Sequence, residues 1–167
     1  MKINDIGTVG VVGSGLMGSG IALNFALAGY QTIMSDLDDE ALTVAKARID
    51  AALAMFVDEG LTTTAEANKA VACVEVTTEL QDLARRSDFI TEAIVERLED
   101  KQKLFRYLDQ TCPSHTVIVS NTSSLKISDI GKGVGRQKKL GLTHYFVPPH
   151  IVPGVEIAKG PGTDDAT

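Results

Sequence analysis

The reading of this chain turns on "VGVVGSGLMGSGIA", residues 9–22. A β-branched run stops at a glycine, and an apolar run with helical spacing begins within a few residues and continues to Gly29. A strand that turns sharply into a helix through Gly13, Ser14, Gly15, Leu16, Met17 and Gly18 is the context that gives a G-x-G-x-x-G pattern physical meaning. Gly13 permits the tight turn, Gly15 lets a backbone approach a pyrophosphate, and Gly18 lets the helix pack closely on the strand. The helix start offers unpaired N–H groups and a positive dipole end to the phosphates. "QTIMSD" then reads as a second strand closed by Asp36, 18 residues beyond Gly18, about where an acid meets the hydroxyls of an adenosine ribose. Leu37, Asp38, Asp39 and Glu40 follow, with no arginine among them to hold a 2′-phosphate, so NAD is expected over NADP.

Outward from this stretch the chain alternates. A long helix is expected over 38–60 and another piece around Ala65–Ala72, then short apolar runs at 73–77, 88–94 and 116–120, with helices between them, notably 97–110. A last pair of apolar runs, 140–146 and 155–158, brackets a proline-rich turn. Strand and helix in alternation imply an α/β, doubly wound, mostly parallel sheet with helices on both faces, a Rossmann-type NAD-binding domain over residues 1–167.

Composition agrees with one globular domain: 167 residues, 44% hydrophobic and 23% charged. The net charge of −6 argues against nucleic acid as a partner. No apolar run is long enough to span a bilayer, and there is no basic leader with an apolar core, so no membrane partner is expected. Cys73 and Cys112 have no metal-like spacing, so reduced thiols and no metal are expected. These features point to the cytoplasm or an organelle matrix, with the cytoplasm carried forward.

Two further stretches sit at expected strand ends, which face the ligand crevice of such a sheet. "EAIVERLEDK" places Glu92 and Glu96 at the rim and Lys101 on the next helix; the plainer reading is acids at a helix start and a solvated lysine. "SNTSSLKI", residues 120–127, reads either as a helix-capping cluster or as hydroxyls and an amide facing a substrate. "GLTHYFVPPHIVPGVEI", residues 141–157, puts His144 and Glu156 on neighbouring apolar runs whose turn could fold carboxylate onto imidazole. A carboxylate against the ring fixes its tautomer and stabilises the imidazolium. His150 and His115 read as solvent-facing.

Taken together, "VGVVGSGLMGSGIA", "TEAIVE", "SNTSSL", "GLTHYF" and "GVEI" resemble the 3-hydroxyacyl-CoA dehydrogenase family, specifically its N-terminal NAD-binding domain, over essentially the whole chain. The resemblance implies that Glu96 and Lys101 lie against the nicotinamide end of NAD and that Ser123 binds cofactor and substrate. It also implies that His144 and Glu156 form the catalytic pair, with Asn121 supporting the polar shell. The implied reaction is NAD-dependent oxidation of the 3-hydroxyl of a 3-hydroxyacyl-CoA, or the reverse reduction of a 3-ketoacyl-CoA. One departure is Val147, where the family commonly carries Asn. The turn "VPPHIVPGVE" looks closer to relatives acting on carnitine or another small hydroxy acid, which leaves such a dehydrogenase as an alternative. A non-catalytic NAD-binding module is the alternative of another class. The family continues into a helical C-terminal domain, absent from this chain, that makes the dimer contacts; Thr163 and the acids after it look like the start of the next helix. Without that domain the chain is expected to leave Tyr145, Phe146, Val147, Ile151 and Val152 partly in water, to self-associate there, and to turn over acyl-CoA negligibly.

Overall fold

A computed structural model describes residues 5–167. Seven strands form one sheet: β1 (Thr8–Val12), β2 (Gln31–Ser35), β3 (Val74–Thr77), β4 (Phe89–Glu92), β5 (Val117–Ser120), β6 (Leu140–Tyr145) and β7 (Val155–Lys159). The spatial order is β3-β2-β1-β4-β5-β6-β7. The first six pair in parallel, whereas β7 runs antiparallel to β6 and forms an exposed edge. The helices are α1 (Leu16–Leu27), α2 (Asp39–Asp58), α3 (Thr64–Ala72), α4 (Leu80–Arg86), α5 (Leu98–Thr111) and the short α6 (Ile127–Ile130). This is the expected doubly wound α/β arrangement.

The central strand shows why both faces must be covered. Val9 and Val11 of β1 pack with α1, α2 and α3 on one side, while Val12 belongs to a second core with α4, α5 and α6. A strand buried on both faces has no polar alternate position, so its sequence is a continuous apolar run. α2 starts at Asp38, whose carboxylate accepts the Ala41 N–H at 2.8 Å, and buries Leu42, Ala45, Ile49, Ala52, Leu53 and Phe56 at helical spacing. α3 opens with a capping box between Thr63 and Glu66.

Chain direction matters most for the site. From β1 the chain moves outward to β2 and β3, then returns to the other side of β1 for β4. The reversal leaves a crevice beyond the carboxyl ends of β1 and β4, where ligands bind in open α/β sheets. Two expectations need correction. The segment after Thr163 forms turns rather than a helix among the described residues; the Thr163 hydroxyl donates to the Leu140 carbonyl and accepts the Gly160 N–H instead of capping a following turn. His150 is half-buried against Phe56 rather than solvent-facing, because the turn that carries it folds down onto α1 and α2. His115 is exposed, beside Asp88.

Candidate active site

Five strand ends and one helix start converge on the crevice. At the first, Gly13 has φ +98°, and a Cβ there would stand 2.6 Å from the Ala93 carbonyl oxygen of the neighbouring strand end. A Cβ on Gly18 would stand 1.8 Å from the Gly13 carbonyl oxygen, so any side chain would push the helix off the strand. Gly15 differs from both: nothing lies within 4 Å of its would-be Cβ. It caps α1 without a side-chain hydrogen bond, which leaves first-turn N–H groups facing open space. Leu16 is exposed beside it, and Met17 packs inward on the α1–α2 core. These are the features that a pyrophosphate requires of a loop: room, and donors with no partner.

Asp36 ends β2 beside this loop. Its carboxylate accepts from the Ser14 N–H and hydroxyl, each at 2.6 Å, and from the Leu37 N–H at 2.8 Å. Burial pushes its pKa up, but the bonds from Ser14 and Leu37 together outweigh burial and hold it below the ordinary carboxylate value. A cleft of about 340 Å³ lies here, lined by Ser14, Gly15 and Asp36 and, across from them, by Ala41, Val44 and Arg48. No arginine stands among the few residues that follow Asp36 in sequence. Helix α2 brings Arg48 round, since positions 41, 44 and 48 share one face. Asp36, Asp38 and Glu40 still outnumber it in the same cleft.

The end of β4 holds a buried ionic network. Glu92 is 0% exposed and accepts from the Lys101 ammonium at 2.5 Å, the Ser120 hydroxyl at 2.5 Å and the Ile94 N–H at 2.8 Å. Lys101 is 1% exposed, because it occupies the buried stripe of α5 with Leu104, Phe105 and Leu108. Neither residue lies at a solvated rim, as the sequence reading had Glu92 and its plainer alternative had Lys101. The outer carboxylate is Glu96, 41% exposed, whose Oε2 is 3.1 Å from the Lys101 ammonium. Its Oε1 accepts from the Thr122 hydroxyl in a short bond and from the Ser124 hydroxyl at 3.1 Å. Burial raises the Glu96 pKa, yet Thr122, Lys101 and Ser124 together bring it below the usual value.

The loop after β5 joins capping chemistry to the crevice. Thr122 accepts from the Leu125 N–H at 3.0 Å, and both neighbours of Ser123 bond to Glu96. Ser123 itself is exposed and makes no hydrogen bond among the described residues, so the loop presents a free hydroxyl, not bonded to His144 in this state. Asn121 takes the Tyr145 N–H on its side-chain oxygen at 2.9 Å, and its own N–H donates to the Glu92 carbonyl at 2.8 Å. It therefore ties β4, β5 and β6 together at their ends.

His144 and Glu156 face each other directly across β6 and β7. Nδ1 of the imidazole is 2.8 Å from Glu156 Oε2, and the Phe146 ring lies beside it with centroids 5.0 Å apart. The His144 side chain is 25% exposed and the Glu156 side chain 69%, so the pair is open to water on one side. With the carboxylate ionised, Nδ1–H donates and the Nε2 lone pair is left to accept a proton.

The comparisons with known proteins decide the family. The model of the 3-hydroxyacyl-CoA dehydrogenase NAD binding domain matches residues 8–167. The chain belongs to this family. It is 34% identical over 164 residues to the mitochondrial hydroxyacyl-coenzyme A dehydrogenase of Mus musculus, covering 95% of this chain and 52% of the relative. It is 33% identical over 163 residues to the probable 3-hydroxybutyryl-CoA dehydrogenase of Bacillus subtilis, covering 98% and 56%. Among solved structures, the 3-hydroxybutyryl-CoA dehydrogenase of Escherichia coli K12 superposes with TM-score 0.92 at 35% identity, over 96% of this chain and 34% of that one. The chain thus spans about half the length of the curated relatives it matches.

As a family member the chain is an NAD-binding domain, and the open Gly15 loop, the uncapped α1 and the Asp36 cleft fit that nucleotide. Among the described residues no helix is long and apolar enough to cross a membrane, and no group of three or more His, Cys, Asp or Glu side chains could hold a metal ion. Both cysteines are free, and burial pushes the Cys112 thiol up to about 11, which leaves it unreactive.

Proposed function

We propose that this domain supplies the cofactor half and the catalytic pair of an NAD-dependent dehydrogenase that oxidises the C3 hydroxyl of a 3-hydroxyacyl-CoA, or reduces the matching ketone. The observation that carries this is the His144–Glu156 pair, 2.8 Å apart at the crevice end of β6. His144 Nε2 takes the hydroxyl proton as the C3–O bond becomes a carbonyl, and Glu156 stabilises the imidazolium formed at Nδ1. NAD, when bound, accepts the hydride that leaves C3. Ser123 donates to the same substrate oxygen, and Asn121 holds the backbone of Tyr145 so that His144 keeps its aim. Glu96, fixed by Lys101, lies at the nicotinamide end of the dinucleotide, the Gly13–Gly18 loop holds its pyrophosphate, and Asp36 holds the adenosine ribose. The relatives' names support the reaction and the acyl-CoA substrate.

In the full-length protein a second, helical domain closes over Phe146, Val147 and Ile151, which are exposed here, and forms a homodimer. Excluding water there strengthens every charge in the site. The free thiols of Cys73 and Cys112 favour a reducing compartment, and the cytoplasm is our assignment. The turn after His144, which resembles that of relatives acting on carnitine or another small hydroxy acid, leaves a dehydrogenase of such a substrate as the second reading. A module that only senses NAD has no use for an oriented base. The deciding experiment compares acetoacetyl-CoA with dehydrocarnitine as substrates for NADH oxidation by the full-length protein. Faster turnover of acetoacetyl-CoA supports the first reading; preference for dehydrocarnitine overturns it for the second, and no turnover of either overturns both.

A further inference from the structure

The turn between β6 and β7 is held from outside its own hairpin. Within the turn, the Ile151 and Val152 N–H groups both donate to the Pro148 carbonyl at 3.0 Å. Its other anchors lie on the helix that begins with the phosphate-binding loop. The Asn24 side-chain amide of α1 donates to the Pro149 carbonyl at 2.7 Å, across 125 residues of sequence. Gly20, one turn earlier on α1, touches the same turn: a Cβ there would stand 2.5 Å from Pro149 Cγ and 2.9 Å from His150 Nδ1. The His150 ring leans on Phe56 of α2, with centroids 5.9 Å apart, and its Nδ1 is buried without a hydrogen-bond partner. An imidazole in that position acts as an apolar wedge, and burial accordingly pushes its pKa down.

The consequence lies in what α1 measures. Its first turn carries the Gly15–Gly18 loop, its second carries Gly20 and its third Asn24. The turn anchored on those two positions begins at Pro148, four residues after His144, and leads into the strand that carries Glu156. One rigid helix therefore sets both where the dinucleotide phosphates sit and where the imidazole and its carboxylate sit. β7 is exposed throughout, so the other anchors near His144 lie on the β5 side, where β6 pairs with β5 and Asn121 accepts the Tyr145 N–H at 2.9 Å.

We infer that Gly20, Asn24 and His150 are positioning residues: they strap the His144–Glu156 hairpin to the cofactor-binding helix and so fix the distance from the base to the nicotinamide. This rests on the catalytic reading of the pair. A displacement of about 1 Å between reacting groups costs on the order of 10²-fold in rate. The strap limits such a drift from the turn end of a hairpin whose outer strand is a free edge, as the Asn121 bond limits it from the β5 side.

Asn24→Asp is the sharpest variant, because it keeps the shape, removes the donor and sets a carboxylate against the Pro149 carbonyl. Gly20→Ala tests the steric contact. In the full-length protein, Asn24→Asp should lower kcat by about tenfold or more with KM for NAD within about threefold, and should move the limb of the kcat pH profile that reports His144. In this chain, ¹⁵N NMR should show His144 as a single tautomer protonated at Nδ1 in the parent, and as a mixture in Asn24→Asp. Circular dichroism checks that each variant is folded; if Gly20→Ala does not fold, Asn24→Asp carries the test. An unchanged His144 tautomer in folded Asn24→Asp overturns the inference, as does an unchanged kcat with only a lower melting temperature. The catalytic reading fails separately, through an active His144→Ala.

Discussion

Replacing Lys101 by methionine should expose how much of the crevice depends on one buried ion pair. Methionine nearly keeps the volume of the lysine stem, so packing against Leu104, Phe105 and Leu108 is largely preserved. What is lost is the ammonium, 2.5 Å from a carboxylate with no solvent access. Glu92 would keep the Ser120 and Ile94 donors, yet its charge would lie buried with no counter-ion. Removing one partner of a buried pair costs about 3–5 kcal/mol, since the survivor's desolvation is no longer offset. For a domain of this size that corresponds to a fall in Tm of about 6–20 °C, taking about 2–4 °C per kcal/mol. The double variant Glu92→Gln with Lys101→Met removes both charges while the glutamine amide still meets Ser120 and Ile94. It should recover most of the loss, to within about 2 kcal/mol of the parent. The assay is urea and thermal unfolding of parent, single and double variants. A single variant costing under about 1 kcal/mol, or a double variant no better than the single, would refute the argument that Glu92 needs its counter-ion.

Other outcomes follow from the same geometry. Asp36→Ala should weaken NAD binding and narrow the preference over NADP, because Arg48 then faces the 2′ position with fewer carboxylates around it; equal calorimetric preference in parent and variant would contradict this. Asp36, Asp88 and Asp109 all have pKa values held below the ordinary one: burial raises each, and hydrogen bonds from Ser14, from Thr8 and His115, and from Gly135 and Arg136 respectively outweigh it. A depressed native value means the unfolded chain binds more protons, so stability is fully present above about pH 4 and is lost as pH falls through the lower native values. Thermal melts should decline gently below about pH 6.5, where the unfolded chain protonates His150 and burial in the native chain resists it, then drop more steeply below about pH 4, and Asp109→Asn should flatten the steeper drop. Val147→Asn should raise kcat/KM for acetoacetyl-CoA in the full-length protein, and an unchanged or lower value would show that the valine suits its own substrate.

What could be read from the sequence follows a physical line. Periodicity and glycine spacing are local, so the strands, the long helices and the loop at Gly13–Gly18 were legible, as was the sheet's doubly wound class. The pairing of His144 with Glu156 is implied by the family resemblance, and the β6–β7 hairpin supplies its physical reason by setting residues twelve apart directly opposite each other. Arg48 is not apparent from local sequence because its approach to Asp36 runs through the first turns of α2. Glu92 was placed at the rim because a carboxylate at a strand end looks solvated; its burial depends on Lys101, and that depends on the apolar stripe of α5. Positions 101, 104, 105 and 108 carry the signal that would have found it. His150 was read as solvent-facing because nothing nearby in sequence reveals Gly20, whose missing side chain makes room for the turn.

In the proposed mechanism His144 is the base and Glu156 its orienting partner. The direct test is kcat for NADH-dependent reduction of acetoacetyl-CoA by the full-length protein, parent against His144→Ala, with NAD affinity measured alongside. The expected fall in kcat is about 10²–10⁴, with NAD affinity within about twofold. A His144→Ala protein that turns over at the parent's rate would contradict it.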